Sequence, residues 1–384
     1  MVLCEVAEEA KVDPLGSIPE RILLGPGPSM LAPGVLSSMT APMLGHLDPA
    51  FLAIMDDNQS LLRQVFDTTN RLTVPISGTG SAAMETSVVN VLEAEDEIIV
   101  GIAGYFGERL AEMARRCGAR VHEVREAAGR TIPPEKIEKA LGDHPKAKAV
   151  ALIHAETSTG ACQPLEEVGQ LVRRHGSLFI VDAVTSLGGM PINVDANHID
   201  ICYSCSQKCL GAPPGLGPIT LSERATHAAR ERSTPVQSWY LDMALLTKYW
   251  GSERTYHHTA PVTMNYALNA ALHLAVGEGL AQRYERHKRV GELLEQGLEG
   301  LGFRLFVDAG HRLPMLTVVE CPPRVDAETL RKRLLQEYSI EVAGGLGEQR
   351  GKLLRIGLMG YGAQERNVQY LLYALGKLLD RKPA

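Results

Sequence analysis

The stretch "ISGTGSAAMETSVVNVLEAEDEIIVG", residues 76–101, decides the fold. It opens on Ser77, Gly78, Thr79, Gly80 and Ser81, continues as a run of helical character over about 80–92, and closes on the apolar segment "DEIIVG" (96–101). A glycine-rich turn that opens a helix leaves backbone N–H groups free at the positive end of the helix dipole, where proteins hold phosphate. The same small residues also suit a plain strand-to-helix turn. The spacing is not G-x-G-x-x-G, because position 83 is Ala.

Outward from this unit the pattern repeats. The runs "LTVPIS" (72–77), "ARVHEV" (119–124), "AVALIH" (149–154), "SLFIVD" (177–182) and "IDICYS" (199–204) alternate with amphipathic stretches at 108–117 and 165–174. Apolar strands separated by helices predict an α/β domain with a mostly parallel sheet covered on both faces. Past Pro261 the periodicity changes to one long helical pattern over about 265–298, which Gly277 and Gly279 can interrupt. "FRLFV", "MLTVVE", a helix over about 327–338, "SIEVA", "LLRIGLM" and a helix over about 363–379 then predict a compact α+β lobe. The expected division is an N-terminal arm (1–20), a large domain (21–264) and a small C-terminal domain (265–384) that includes the linking helix.

The chain has 384 residues, 45% of them hydrophobic, which suffices for a large core. Its formal charge of −6 and pI near 6.1 offer no basic surface of the kind that nucleic acid or an anionic membrane demands. No signal segment opens the chain and no apolar run reaches the roughly 20 residues of a membrane span. The expectation is a soluble, cytoplasmic protein acting on small molecules.

Seven cysteines without a secretory signal argue for reduced thiols. Cys202, Cys205 and Cys209 invite a metal reading, and a non-catalytic metal-binding protein is one alternative function. A zinc or iron–sulfur site normally wants a fourth ligand, however, and "IDICYSC" reads as an apolar strand in which cysteine is a small hydrophobe. No metal is expected there. The adjacent His257 and His258 also make a poor chelate, since sequence neighbours point apart.

Chemistry becomes legible at "FIVDAVTSLGG" and "YSCSQKCLGAPPG". Asp182 stands at the carboxyl end of an apolar strand, where open α/β sheets place ligands. Lys208 follows a second strand among small and polar residues. A lysine there can form a Schiff base with an aldehyde, and an aspartate opposite can hold a pyridine nitrogen protonated.

Seven segments in chain order carry a resemblance: "LLGPGPS" (23–29), "ISGTGSAAMET" (76–86), "HAETSTG" (154–160), "VDAVTSLGG" (181–189), "YSCSQKCLGAPPG" (203–215), "YHHTAP" (256–261) and "GGLGEQRGKLLRIGLMG" (344–360). Together they resemble the class V aminotransferases of the alanine–glyoxylate and serine–pyruvate type, a branch of the fold-type I enzymes that use pyridoxal 5'-phosphate. The resemblance implies a seven-stranded sheet in the large domain and ping-pong transamination between a small amino acid (alanine or serine) and a small 2-oxo acid (glyoxylate or pyruvate).

Residue by residue, the resemblance makes Lys208 the residue that binds the cofactor aldehyde and Asp182 the partner of the ring nitrogen. Gly80, Ser81 and Gln207 would hold the phosphate. Phe106 would stack on one face of the ring and Val184 would pack on the other, with Thr157 at the ring hydroxyl. Arg355 would bind the substrate carboxylate through its two-pronged guanidinium, beside Gly27 of the "GPGP" turn. Tyr256 and Thr259 would cross the two-fold interface of a homodimer to the neighbouring site. A cysteine desulfurase or lyase of the same fold is a second alternative. Gly45 and His46 lie where relatives differ, so the preferred donor and acceptor do not follow from the sequence.

Overall fold

The computed structural model describes residue 16 and residues 18–380, so most of the expected N-terminal arm lies outside the described residues. The large sheet has seven strands in the spatial order Leu72–Ser77, Leu216–Leu221, Ile201–Tyr203, Leu178–Asp182, Ala147–Ile153, Glu97–Ile102 and Arg120–Arg125. Six run in one direction and Leu216–Leu221 runs against both its neighbours. That reversed strand escapes the sequence reading because "LGPITL" carries glycine and proline, which normally argue against a central strand. Here Pro218 pairs in register with Pro75, and Gly217 lets the helix Gly80–Val89 approach closely. A Cβ at Gly217 would lie 2.8 Å from the Ala83 side chain.

The inner strands are buried on both faces, as their unbroken Ile, Val and Leu content requires. One core, holding Ile98, Val100, Ile180 and Ile219, is closed by the helices Gly80–Val89 and Tyr105–Arg116. The opposite core, holding Ile99, Val150, Phe179 and Val181, is closed by Pro134–Asp143, Glu166–His175 and Val262–Glu278. The helix Pro49–Phe66, which the sequence reading did not assign, starts at a clear signal: Asp48 caps it by accepting from the Ala50 amide, and Pro49 takes the first turn.

The long helical pattern after Pro261 is two helices, Val262–Glu278 and Leu280–Gly300, broken at Gly279, whose φ is +84°. The C-terminal sheet is antiparallel, in the order Arg304–Leu305, Leu316–Glu320, Leu353–Gly357 and Ala343–Gly344. "SIEVA" is not one strand. Ala343–Gly344 joins this sheet, whereas Ile340–Glu341 pairs in parallel with Ile22–Leu23 from the other end of the chain. Leu24 is fully buried in the C-terminal core with Val290, Leu330 and Leu371. The segment just after residue 21, expected in the large domain, is therefore fastened to the C-terminal lobe. Among the described residues no helix is long and apolar enough to cross a membrane.

Candidate active site

Lys208 sits in the loop that follows Ile201–Tyr203, and its ammonium donates to the carbonyl of Pro26. Ser29 secures the same loop from the "GPGP" side: its amide donates to the Gln207 carbonyl at 2.9 Å and its hydroxyl to the Lys208 carbonyl at 2.8 Å. Gly27 has φ +116°, and a Cβ there would fall 2.6 Å from Lys208 Cδ and 2.8 Å from Nζ. Only glycine leaves the lysine its space. Burial, with the nearby positive charge of Arg355 adding to it, lowers the Lys208 pKa.

Asp182 ends its strand 2% exposed. One carboxylate oxygen accepts from the Val184 amide at 2.8 Å and the other from the Tyr203 hydroxyl at 2.9 Å. Burial pushes its pKa up to about 7, so the acid is held in a place that disfavours its charge. A protonated ring nitrogen is the kind of partner that restores the ionised form. Tyr203 is a site residue the sequence reading missed. Parallel pairing sets it beside Asp182, and a tyrosine in an apolar strand needs a partner for its hydroxyl, which was the available signal.

The helix Gly80–Val89 has no side-chain cap, and among the described residues no protein acceptor takes the amides of Gly80 and Ser81. Gly80 packs against Val184 and Cys205: a Cβ there would lie 3.3 Å from Val184 Cγ2. Gln207 buries a side-chain amide oxygen with no partner. The oxygen and nitrogen of an amide are assigned from their neighbours, so this orphaned group is a donor as readily as an acceptor. Free helix-end amides, an unpartnered amide side chain, a buried carboxylate and a lysine in a glycine cradle form a donor set that fits a phosphorylated pyridine aldehyde.

Phe106 lies in the first turn of Tyr105–Arg116, half-buried, with the Arg109 guanidinium 5.0 Å from its ring centroid. That helix also lacks a cap of its own. Glu156, 3% exposed, supplies one from another segment by accepting from the amides of Phe106 at 3.2 Å and Ser158 at 3.0 Å. Burial raises the Glu156 pKa while these donors oppose the rise. It stands unremarked inside "HAETSTG" in the sequence reading. Thr157, next to it, shares a hydrogen bond with the Thr185 hydroxyl.

Arg355 is 6% exposed in the strand Leu353–Gly357. Its Nε donates to the Gly344 carbonyl at 2.7 Å and one terminal nitrogen to the Thr157 carbonyl at 3.1 Å. Among the described residues no carboxylate forms an ion pair with it, although Glu156 is near enough to be felt. Burial pulls its pKa down to about 10, with Glu156 opposing. Arg355 thus bridges the C-terminal lobe and the Thr157 loop with charge to spare.

Tyr256 and Thr259 are exposed, Tyr256 at 57%. His258 between them donates to or accepts from Ser77 at 2.6 Å, which ties the segment to the glycine-rich turn. His46 lies 5.1 Å from the Tyr256 ring, centroid to centroid. The cysteine trio does not converge: Cys205 and Cys209 point their sulfurs at the carbonyls of Val184 and Thr185, and Cys202 lies in the core. Their thiols are buried, with the pKa of Cys205 and Cys209 pushed up to about 12.

Residues 35–371 match the model of the family described as aminotransferase class-V. The chain is 41% identical to the alanine–glyoxylate aminotransferase of Mus musculus over 98% of its own length and 91% of that protein's. It is 39% identical to the (S)-ureidoglycine–glyoxylate transaminase of Bacillus subtilis, covering 95% of this chain and 92% of the relative. The crystal structure of an alanine–glyoxylate aminotransferase from Nostoc sp. superposes with a TM-score of 0.94 at 50% identity, covering 98% of this chain and 100% of that one.

Proposed function

Because the chain belongs to the class-V aminotransferases, enzymes that depend on pyridoxal phosphate, we propose that it moves an amino group from alanine or serine to glyoxylate or pyruvate. The observation that carries this reading is Arg355, a buried guanidinium bonded among the described residues to carbonyls alone and close enough to Lys208 to lower its pKa. Amino acids and 2-oxo acids share an α-carboxylate, and a two-pronged guanidinium binds it in a fixed orientation. Both substrates can therefore take turns in one site, which favours a ping-pong scheme.

The cofactor, when bound, supplies an electron sink that weakens the Cα–H bond of the amino acid. Lys208 would be the covalent anchor and the base that moves that proton, a role that a pKa lowered by burial serves. Asp182, steadied by Tyr203, would pair with the ring nitrogen. Gly80, Ser81 and Gln207 would hold the phosphate, while Phe106 and Val184 would enclose the ring and Thr157 would meet its hydroxyl. Gly27 keeps the lysine's path open beside the substrate.

The active unit in this reading is a homodimer whose Tyr256 and Thr259 reach the partner's phosphate, and their exposure supports it. The six described cysteines are all free, which suits the cytoplasm. The test measures initial rates for alanine and serine against glyoxylate and pyruvate, with both substrates varied. Parallel double-reciprocal lines are expected with at least one pair; intersecting lines, or no turnover with any pair, would overturn the proposal. Mixing Lys208→Ala with the Tyr256→Phe, Thr259→Ala double variant tests the shared site, since only a heterodimer rebuilds one complete site. No return of activity, with subunit exchange shown independently, refutes the sharing.

A further inference from the structure

At the outer edge of the large sheet, Glu97, His122 and His144 bring one donor atom each within 4.8 Å of one another. Glu97 begins the strand Glu97–Ile102, His122 lies on the edge strand Arg120–Arg125, and His144 follows the last residue of the helix Pro134–Asp143. None of the three belongs to the candidate active site. His122 Nε2 is 3.0 Å from Glu97 Oε2, and His144 Nδ1 is 3.7 Å from the same oxygen. The side chains are 21 to 32% exposed, so the cluster is sheltered yet open to solvent on one side.

The surrounding charges single out this carboxylate. Glu95 pairs with Arg120, Asp96 with Lys148, Glu108 with Arg125, and Glu123 with both Arg115 and Arg125. Glu97 alone among these acids has imidazoles as its ion-pair partners. The two rings are stacked, 3.4 Å between centroids and 15° apart in plane. A divalent cation shared by the three side chains would give the carboxylate oxygen and one nitrogen of each ring a common partner.

We propose that Glu97, His122 and His144 form a zinc site. Two imidazoles and a carboxylate are a donor set that zinc accepts, with a water in the fourth position on the solvent side. With bonds of about 2.0–2.1 Å the edges of a zinc tetrahedron are about 3.3–3.4 Å, and the observed 3.0 and 3.7 Å bracket that range. Coordination requires the stacked rings to open so that each lone pair meets the ion in its ring plane. His144, the more exposed histidine and outside any regular element, is the ring that turns. The ion would pin the edge strand, its neighbour and a helix end together, away from the chemistry.

The test uses the full chain with cofactor bound, free of any polyhistidine tag, and titrates zinc chloride calorimetrically in a buffer that does not chelate. One zinc per chain is expected with a dissociation constant below about 10 μM, weakened at least about 100-fold by His122→Ala or His144→Ala. Glu97→Gln, which keeps the shape, should weaken it as well. Cobalt should give the intense visible bands of a low-coordinate ion in the wild type and lose them in the variants, while transaminase rates stay within about twofold because the site is remote from Lys208. Binding weaker than that limit, or equal binding by wild type and His122→Ala, overturns the proposal.

Discussion

Two arginines of this chain are buried to the same depth and serve opposite ends. Arg283, 5% exposed, donates to the carbonyls of Gly188 and Cys209 and pairs with Glu278 at 2.8 Å. Arg355, 6% exposed, donates to the carbonyls of Gly344 and Thr157 and has no such carboxylate among the described residues. Burial lowers the pKa of both. A buried guanidinium without an anion is expensive, so the first is a finished structural joint while the second waits for a charge from outside. The difference separates the part of the lobe junction that holds the molecule together from the part proposed to hold substrate.

The contrast fails at its root if the reactive lysine is elsewhere. Lys208→Ala should fold with an unchanged melting temperature and lose turnover by at least about 10⁴-fold; substantial residual transamination would falsify the whole assignment.

Asp182→Asn should cost about 10³-fold in turnover, because an amide cannot neutralise a protonated ring nitrogen. It also has a signature in stability. The folded pKa of Asp182 is raised by burial to about 7, above that of an unfolded aspartate near 3.9. The cofactor-free protein therefore enjoys the full contribution of the protonated acid below about pH 4 and loses it as the pH climbs through 7. Asparagine should remove that slope in melting curves taken between pH 5 and 8. On the structural side of the comparison the sign reverses. Burial holds the His287 pKa down at about 3 beside Arg283, where the imidazole accepts from the Gly360 amide at 3.0 Å. Its contribution is present above about pH 6.5 and fades as the pH falls from there toward 3.

Replacing each arginine sharpens the contrast directly. Arg355→Lys should lower kcat/KM about 100-fold for both amino and oxo acid while leaving the melting temperature alone. Arg283→Met should do the reverse, costing about 3 kcal/mol of stability by leaving the carbonyls of Gly188 and Cys209 without their donor and Glu278 with Arg286 alone, with both KM values unchanged. A KM effect from Arg283, or a large stability loss from Arg355, erases the distinction. The smallest effect belongs to Tyr203→Phe, which removes one bond to Asp182 and should slow turnover about fivefold, in line with a net hydrogen bond of about 1 kcal/mol.

Much of this was readable in the chain because strand ends and glycine turns carry local signals. The alternation of apolar runs and helices led to the α/β architecture, and the small residues around Lys208 marked it as something other than a surface lysine. What escaped depends on partners distant in sequence. Leu216–Leu221 is a strand because Leu72–Ser77 pairs along its whole length, Gly217 and Pro218 included, while Ile201–Tyr203 pairs with its second half. Glu156 and Tyr203 are ordinary in their own segments and acquire meaning from Phe106 and Asp182, about fifty and twenty residues away. The pairing of Ile22–Leu23 with Ile340–Glu341 joins two-residue strands, too short for any periodicity to announce.

That last pairing bears on how the molecule is born. Residues 22–24 emerge from the ribosome well before the surface they complete, which is built from Val290 and residues beyond it. The large sheet can begin to collapse during synthesis, since its seven strands are all present by residue 221. The segment that ends in the "GPGP" turn must wait, unpaired, until the C-terminal strands arrive. Because Pro26 and Ser29 hold the Lys208 loop, Lys208 cannot be set in its final place before the C-terminal strands have been made. Contacts of such long range close late and slowly, so the finished active site is among the last features that folding can produce.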